Sequence, residues 1–193
     1  MKKIGIYGGT FHPPHVGHLI TAECVKESLG LDEVVFIPSF ISPHKHEGEE
    51  LSALHRLEMI RRAIAGDVNF RVSDFEIGKG ETSYSVTTIE HFKKEFSNDD
   101  IYLIIGMDNY LTFHLWKDPD RILELATLAV MNRPNYPRKV NEVIGTKKTV
   151  FVDVPDIDIS SSDIRFRVKS GKSIRNLVPS NVESYIREHN LYK

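Results

Sequence analysis

Two histidines three residues apart, set behind a pair of glycines, are the residues of this sequence best suited to chemistry. They stand in the string Gly8-Gly9-Thr10-Phe11-His12-Pro13-Pro14-His15-Val16-Gly17-His18. Paired glycines let a backbone turn sharply and approach a ligand with no Cβ in the way. Successive N–H groups in such a turn form a concavity that suits an anion. Pro13 and Pro14 stiffen the loop and remove two N–H groups that would otherwise need partners. His15 and His18 fall at i and i+3 where a helical pattern begins, so they share one face. A helix N-terminus carries positive partial charge that favours phosphate. The chemistry this arrangement predicts is the cradling of a phosphate, with two imidazoles beside it.

Plainer roles compete at this point. An H-x-x-H pair could be half of a zinc site, but the sole cysteine, Cys24, lies within the same helical pattern and no acidic ligand stands at metal spacing nearby. Either histidine could be a structural hydrogen bonder, and the glycines could mark only a tight turn. Gly5, Gly8 and Gly9 do not form the G-x-G-x-x-G dinucleotide fingerprint. Gly171-Lys172-Ser173 looks like the tail of a P-loop, but Phe166 occupies the place of its first glycine and no strand precedes it. It reads as a turn between helices.

The elements that must position this string are legible from periodicity. Ile4 to Tyr7 is a short buried-strand signal closed by glycines, and His15 to Leu29 is helical with Gly30 as its stop. Val34 to Ile37 is a second strand. A helix starts at Ser52 as N-cap, carries Leu54, Leu57, Ile60 and Ile64, and runs to Gly66. Phe70 to Phe75 alternates like a strand, Ser83 to Phe96 is helical, and Ile101 to Ile105 is an apolar run closed by Gly106. Leu128 to Met131 and Thr149 to Val152 add two strands, and Ser180 to Asn190 a closing helix. Pro134 to Lys148 reads as a polar crossover loop. Strands alternating with helices predict an α/β fold, a Rossmann-like, doubly wound parallel sheet with helices on both faces and a C-terminal helical segment. Ligands of such sheets sit beyond the carboxyl ends of the strands. The loops that follow Tyr7, Ile37, Ile105 and Val152 all belong to that edge.

With 193 residues, 40% hydrophobic and 27% charged, the chain suits one globular domain spanning residues 1–193. A formal net charge of −2 gives no general attraction to nucleic acid. No run approaches the roughly 20 apolar residues that cross a bilayer. Met1-Lys2-Lys3 leads only into Ile4 to Tyr7 before the glycines, too short for the apolar core of a secretion signal. A lone cysteine fits a reducing compartment. The expectation is a cytoplasmic protein without nucleic-acid or membrane partners, and a homo-oligomer is compatible with this composition.

Beyond these local readings, Gly8 to His18 resembles the G-G-T-F-D-P-P-H-x-G-H string of the H-x-G-H nucleotidylyltransferase superfamily. Its partner motif, I-S-S-T-x-I-R, is matched by Ile159-Ser160-Ser161-Ser162-Asp163-Ile164-Arg165. Pro43-His44-Lys45, Ser83-Tyr84-Ser85, Gly106-Met107-Asp108, Trp116-Lys117 and Arg133-Pro134 resemble the nicotinate-nucleotide adenylyltransferase family over nearly the whole chain. The resemblance implies in-line attack by the 5′-phosphate of nicotinate mononucleotide on the α-phosphorus of ATP, giving deamido-NAD and pyrophosphate for NAD biosynthesis. It implies that His15, His18 and Arg165 are catalytic. Gly8, Gly9, Thr10, Phe11, Gly106, Asp108, Ile159, Ser161 and Ser162 would complete the ATP site with His18 and Arg165. Lys45, Ser85, Trp116 and Arg133 would bind nicotinate mononucleotide, and Mg²⁺ would arrive on the ATP phosphates with no dedicated protein site. The sequence departs from the family where His12 replaces Asp or Asn and Thr87 replaces Asp. Phosphopantetheine adenylyltransferase shares both main motifs but lacks the Pro43-His44-Lys45 and Trp116 arrangement. A nucleotide-binding regulator that has lost turnover is the alternative of a different class.

Overall fold

The computed structural model describes residues 1–41, 51–134, 136 and 138–193. Its centre is a six-stranded, all-parallel sheet of order β3-β2-β1-β4-β5-β6. The strands are β1 (Lys3–Gly9), β2 (Glu33–Pro38), β3 (Phe70–Val72), β4 (Asp100–Gly106), β5 (Thr127–Met131) and β6 (Thr149–Val152). Parallel strands covered on both faces read as continuous apolar runs, because neither face meets water. The two faces are separable residue by residue. Ile4, Ile6, Val35, Ile37, Leu103, Ile105, Leu128 and Val130 point to one side. They pack there under α4 (Ser85–Glu95), α5 (Met107–Leu111) and α6 (Pro119–Leu125). Tyr7, Val34, Phe36, Ile104, Ala129 and Met131 point to the other, under α1 (Val16–Leu29) and α2 (Ala53–Ala63). A third cluster joins the outer side of α2 to α7 (Ser161–Lys169) and α8 (Ser180–Glu188). The doubly wound sheet and the C-terminal helical segment expected from periodicity are both present.

Three local expectations change. The strand expected over Phe70 to Phe75 ends at Val72, and Phe75–Lys79 forms a one-turn helix, α3, closed by Gly80 in the left-handed region (φ 65°). Five residues are too few to show helical periodicity. His15 is the N-cap of α1, with extended backbone, and not its first helical residue. Leu54 was expected to face the core with Leu57, Ile60 and Ile64, yet it is 66% exposed. The inward stripe of α2 instead includes Arg56, in helical register with Met59, Ile60 and Ala63. Cys24 is a half-buried free thiol packed against the second core cluster. No helix among the described residues is long and apolar enough to cross a membrane.

Candidate active site

The order of the sheet reverses between β1 and β4, and a cleft of about 860 Å³ opens beyond their carboxyl ends, where a topological switch point places ligands. Its wall on one side is the loop from Gly8 to His12 with the start of α1. The residue after Thr10, Phe11, stands in the left-handed region (φ 49°), which turns its ring under the loop. That ring packs against Tyr7, Phe36 and His18, and a Cβ on Gly9 would lie 3.1 Å from it. A side chain at position 9 would therefore press on the Phe11 ring that floors the cradle. A Cβ on Gly8 would meet nothing within 4 Å, so at that position the space is on the cleft side.

The two histidines stack, with ring centroids 3.7 Å apart. The backbone N–H of His15 donates to Nδ1 of His18 at 3.1 Å. Nδ1 is thereby an acceptor, so the neutral ring of His18 carries its proton on Nε2. Burial, the neighbouring His15 and the Arg133 charge hold the pKa of His18 well below its ordinary value. Burial, then Arg133, brings His15 down to about 4. Both rings are neutral at physiological pH. They can donate hydrogen bonds, and they bring no net charge. Gly17 makes the stack possible: a Cβ there would lie 3.0 Å from Nδ1 and 3.2 Å from Cε1 of His15. Gly17→Ala favours the helix by up to about 1 kcal/mol of propensity but displaces the His15 ring. We expect kcat to fall about tenfold with an unfolding temperature within a few degrees of wild type. Unchanged turnover in that variant would show that Gly17 does not set the ring.

The depressed histidines make stability pH-dependent in a definite direction. Above about pH 6.5 the ring of His15 is neutral in both the folded and the unfolded chain, so no stability is at stake. As pH falls from there toward 4 the unfolded chain takes up a proton that the folded site refuses, and stability declines. The loss from His15 alone reaches about 3 kcal/mol. His15→Gln, which cannot titrate, should therefore lose less unfolding temperature than wild type between pH 7.5 and 4.5. Parallel losses in the two proteins would contradict this.

The opposite wall begins where β6 leaves the sheet. Asn132, which no motif marks, pins this exit: its amide donates to the Val154 carbonyl and the Asp156 carboxylate, both at 2.9 Å, and its oxygen accepts from Val154 N–H at 2.7 Å. The chain then reaches α7, whose N-cap Ser160 accepts from the Asp163 N–H. Ser161 donates to the Pro13 carbonyl at 2.8 Å, and Arg165 donates to the His12 carbonyl at 2.8 Å and to the Ser162 hydroxyl at 3.2 Å. The two motifs from opposite ends of the sequence are thus tied backbone to side chain. His12 is buried, and its ring packs on Tyr192 near the C-terminus, 5.2 Å between centroids. An imidazole there extends the third apolar cluster to the cradle, which the shorter Asp or Asn would not do.

Asp108, just past β4, and Arg133, just past the neighbouring β5, form an ion pair that lines the cleft. A Cβ on Gly106 would collide with the Asp108 carboxylate at 2.6 Å, so that glycine sets where the carboxylate lies. Ser85 opens α4, and Trp116 packs on Phe113, 5.2 Å between centroids. Tyr84 and Lys117 meet between them, with the ammonium 4.5 Å from the ring centroid. Gly8, Gly9, Thr10, Phe11, His15, His18, Ser85, Gly106, Asp108, Trp116, Arg133, Ile159, Ser161, Ser162 and Arg165 all line this one cleft. Lys45, with Pro43 and His44, lies outside the described residues. Thr87 is half-buried on α4 and does not line the cleft; the neighbouring Thr88 is the buried one, hydrogen-bonded to Glu76.

A parallel sheet with a histidine pair at one helix N-terminus and an arginine in the second turn of another helix defines a nucleotidyl-transfer class of site. The cytidylyltransferase-like family pattern matches residues 6–167. The chain is 37% identical over 193 residues to the nicotinate-nucleotide adenylyltransferase of Bacillus subtilis, with 100% of both chains covered. It is 38% identical over 200 residues to the "Probable nicotinate-nucleotide adenylyltransferase" of Clostridium tetani, again with both fully covered. A Plasmodium falciparum nicotinic acid mononucleotide adenylyltransferase solved with NaAD shares the fold, with a TM-score of 0.80 at 21% identity, covering 100% of this chain and 98% of that one. The chain belongs to the nicotinate-nucleotide adenylyltransferase family within the cytidylyltransferase-like group.

Proposed function

We propose that this protein, acting as one domain, transfers the adenylyl group of ATP to nicotinate mononucleotide. An oxygen of the acceptor 5′-phosphate attacks the α-phosphorus in line, the bond to the β-phosphate bridging oxygen breaks, and pyrophosphate leaves with that electron pair. The products are deamido-NAD and pyrophosphate, and no enzyme-bound intermediate forms. The observation that carries this reading is the convergence of neutral His15 and His18 with Arg165, Ser161 and Ser162 on one cleft.

Nε2–H of His18 donates to an α-phosphate oxygen as negative charge grows on the five-coordinate centre, and the N-terminus of α1 adds its partial charge. Arg165, Ser161 and Ser162 receive the β- and γ-phosphates, the fork of the arginine matching phosphate geometry. Asp108 accepts from the adenosine ribose hydroxyls, while Arg133, paired with it, faces the acceptor. Ser85 and Trp116 hold the pyridine ring, and Lys45 draws in the acceptor phosphate. Mg²⁺ carried on the triphosphate would supply charge neutralisation on the leaving group, while Arg165, Ser161 and Ser162 hold the phosphates from the protein side. Among the described residues no three His, Cys, Asp or Glu are grouped to hold an ion. The lone cysteine, Cys24, supports a reducing compartment, the cytoplasm, as the setting of the reaction.

Incubation with ATP, Mg²⁺ and nicotinate mononucleotide, nicotinamide mononucleotide or phosphopantetheine, with pyrophosphate as the readout, tests this. Release is expected with nicotinate mononucleotide above the other two. ATP binding without pyrophosphate from any acceptor would sink the proposal.

A further inference from the structure

Arg56 is, among the described residues, the bulkiest side chain that is fully buried, 1% exposed. A guanidinium in such a place is costly unless its donors are satisfied. It projects from α2 beneath the carboxyl ends of β1 and β2. Nη1 donates to the Thr10 carbonyl at 2.9 Å, Nη2 to the Phe40 carbonyl at 3.1 Å and Nε to the Leu51 carbonyl at 3.4 Å. One planar fork thus serves three carbonyls of irregular backbone, where no ladder would satisfy them. Phe40 is gripped from its other end, since its N–H donates to the Ser83 hydroxyl at 2.9 Å. Ser83 in turn hydrogen-bonds Glu76, and the Thr88 hydroxyl donates to the same carboxyl group at 2.5 Å. The Arg56 charge faces this buried carboxyl.

The result is a continuous polar path through the interior, from Thr10 through Arg56, Phe40 and Ser83 to Glu76. One end is the phosphate cradle, where Phe11 in its left-handed conformation follows directly on the carbonyl that Arg56 holds. The other end is the segment that delivers Ser85 to the cleft. We infer that Arg56 is a positioning residue that registers the ATP half of the cleft against the acceptor half, without touching either substrate. This rests on the adenylyl-transfer reading. In-line transfer requires the attacking oxygen on the extension of the breaking bond, and a misplacement of about 1 Å costs about a hundredfold in rate. A lysine could keep the charge but not serve three carbonyls in one plane.

The test is a split between binding and turnover in Arg56→Lys, with Ser83→Ala as a second variant that cuts the path where the Ser83 hydroxyl meets the Phe40 amide and Glu76. In each folded variant, titration with MgATP alone and with nicotinate mononucleotide alone should give Kd values within about threefold of wild type, while kcat falls about tenfold or more. Amide hydrogen exchange should quicken both in residues 8–12 and in residues 39–41 of Arg56→Lys. A kcat within twofold of wild type, about the noise of such a comparison, would overturn the inference. So would a loss that appears entirely in the Kd for MgATP, or exchange that quickens in only one segment. Wild-type pyrophosphate release reports separately on the adenylyl-transfer reading, and the exchange measurement stands without it.

Discussion

His18→Ala is expected to lower kcat by at least about a hundredfold, the scale for one donor aimed at transition-state charge. The unfolding temperature should fall as well, because the His15 N–H loses its acceptor and the ring its packing on Phe11. The geometry makes the expectation more specific than a simple deletion. Nδ1 is taken by the His15 N–H, which caps α1, and Nε2 is left to donate into the cleft. An asparagine at this position can imitate the Nδ1 acceptor but is too short to reach where Nε2 stood; a glutamine reaches but forms the cap less well. His18→Gln should therefore recover more turnover than His18→Asn, and His18→Asn more stability than His18→Gln. Because the folded-state pKa of His18 is already depressed by burial and by His15 and Arg133, its protonation should not shape the kcat profile between pH 6 and 8. A loss of kcat as pH rises through about 6.5 that disappears in His18→Gln would show that the charged ring is the active species. Unchanged kcat in His18→Ala would remove the residue from the chemistry.

What could be read in the sequence depended on whether the physical reason for a residue is local. The cradle was legible because its parts are adjacent: glycines, prolines and a helix start within eleven residues. The unbroken apolar runs of β4 and β5 told that both faces are buried, since a strand half in water would not be apolar at every position. The Ile159 to Arg165 motif is legible by resemblance, but its tie to the Pro13 and His12 carbonyls is not, because carbonyl direction is not encoded in residue type. Arg56 left a faint trace, a charge in register with Met59, Ile60 and Ala63, where a surface helix would have an apolar residue. Leu54 drew the stripe the wrong way by occupying a neighbouring slot that faces solvent. Glu76 left none. Its helix is five residues long, and its burial depends on Ser83 and Thr88, which come later in the chain. The pairing of Asp108 with Arg133 joins the ends of two strands adjacent only in the sheet.

Arg165→Ala is expected to reduce kcat/KM for MgATP by at least about a hundredfold, since it removes a buried-edge cation from a triphosphate and leaves the oxygens to serine donors alone. Arg165 donates through Nη1 to the His12 carbonyl and through Nη2 to the Ser162 hydroxyl. The same side chain thus fastens α7 to the cradle, and losing those two bonds costs about 1–3 kcal/mol of stability. The two effects separate in Arg165→Lys. An ammonium restores the charge and can reach one oxygen, but it cannot span the carbonyl, the serine and a phosphate as a planar fork does. Arg165→Lys should regain most of the unfolding temperature through partial repair of the tie and of the electrostatics, yet no more than about a tenth of the lost kcat/KM. Activity that returns in step with stability would assign Arg165 to holding the loop. Stability that returns without activity assigns it to the phosphates, and with it the pairing of the two motifs on which the adenylyl-transfer reading stands.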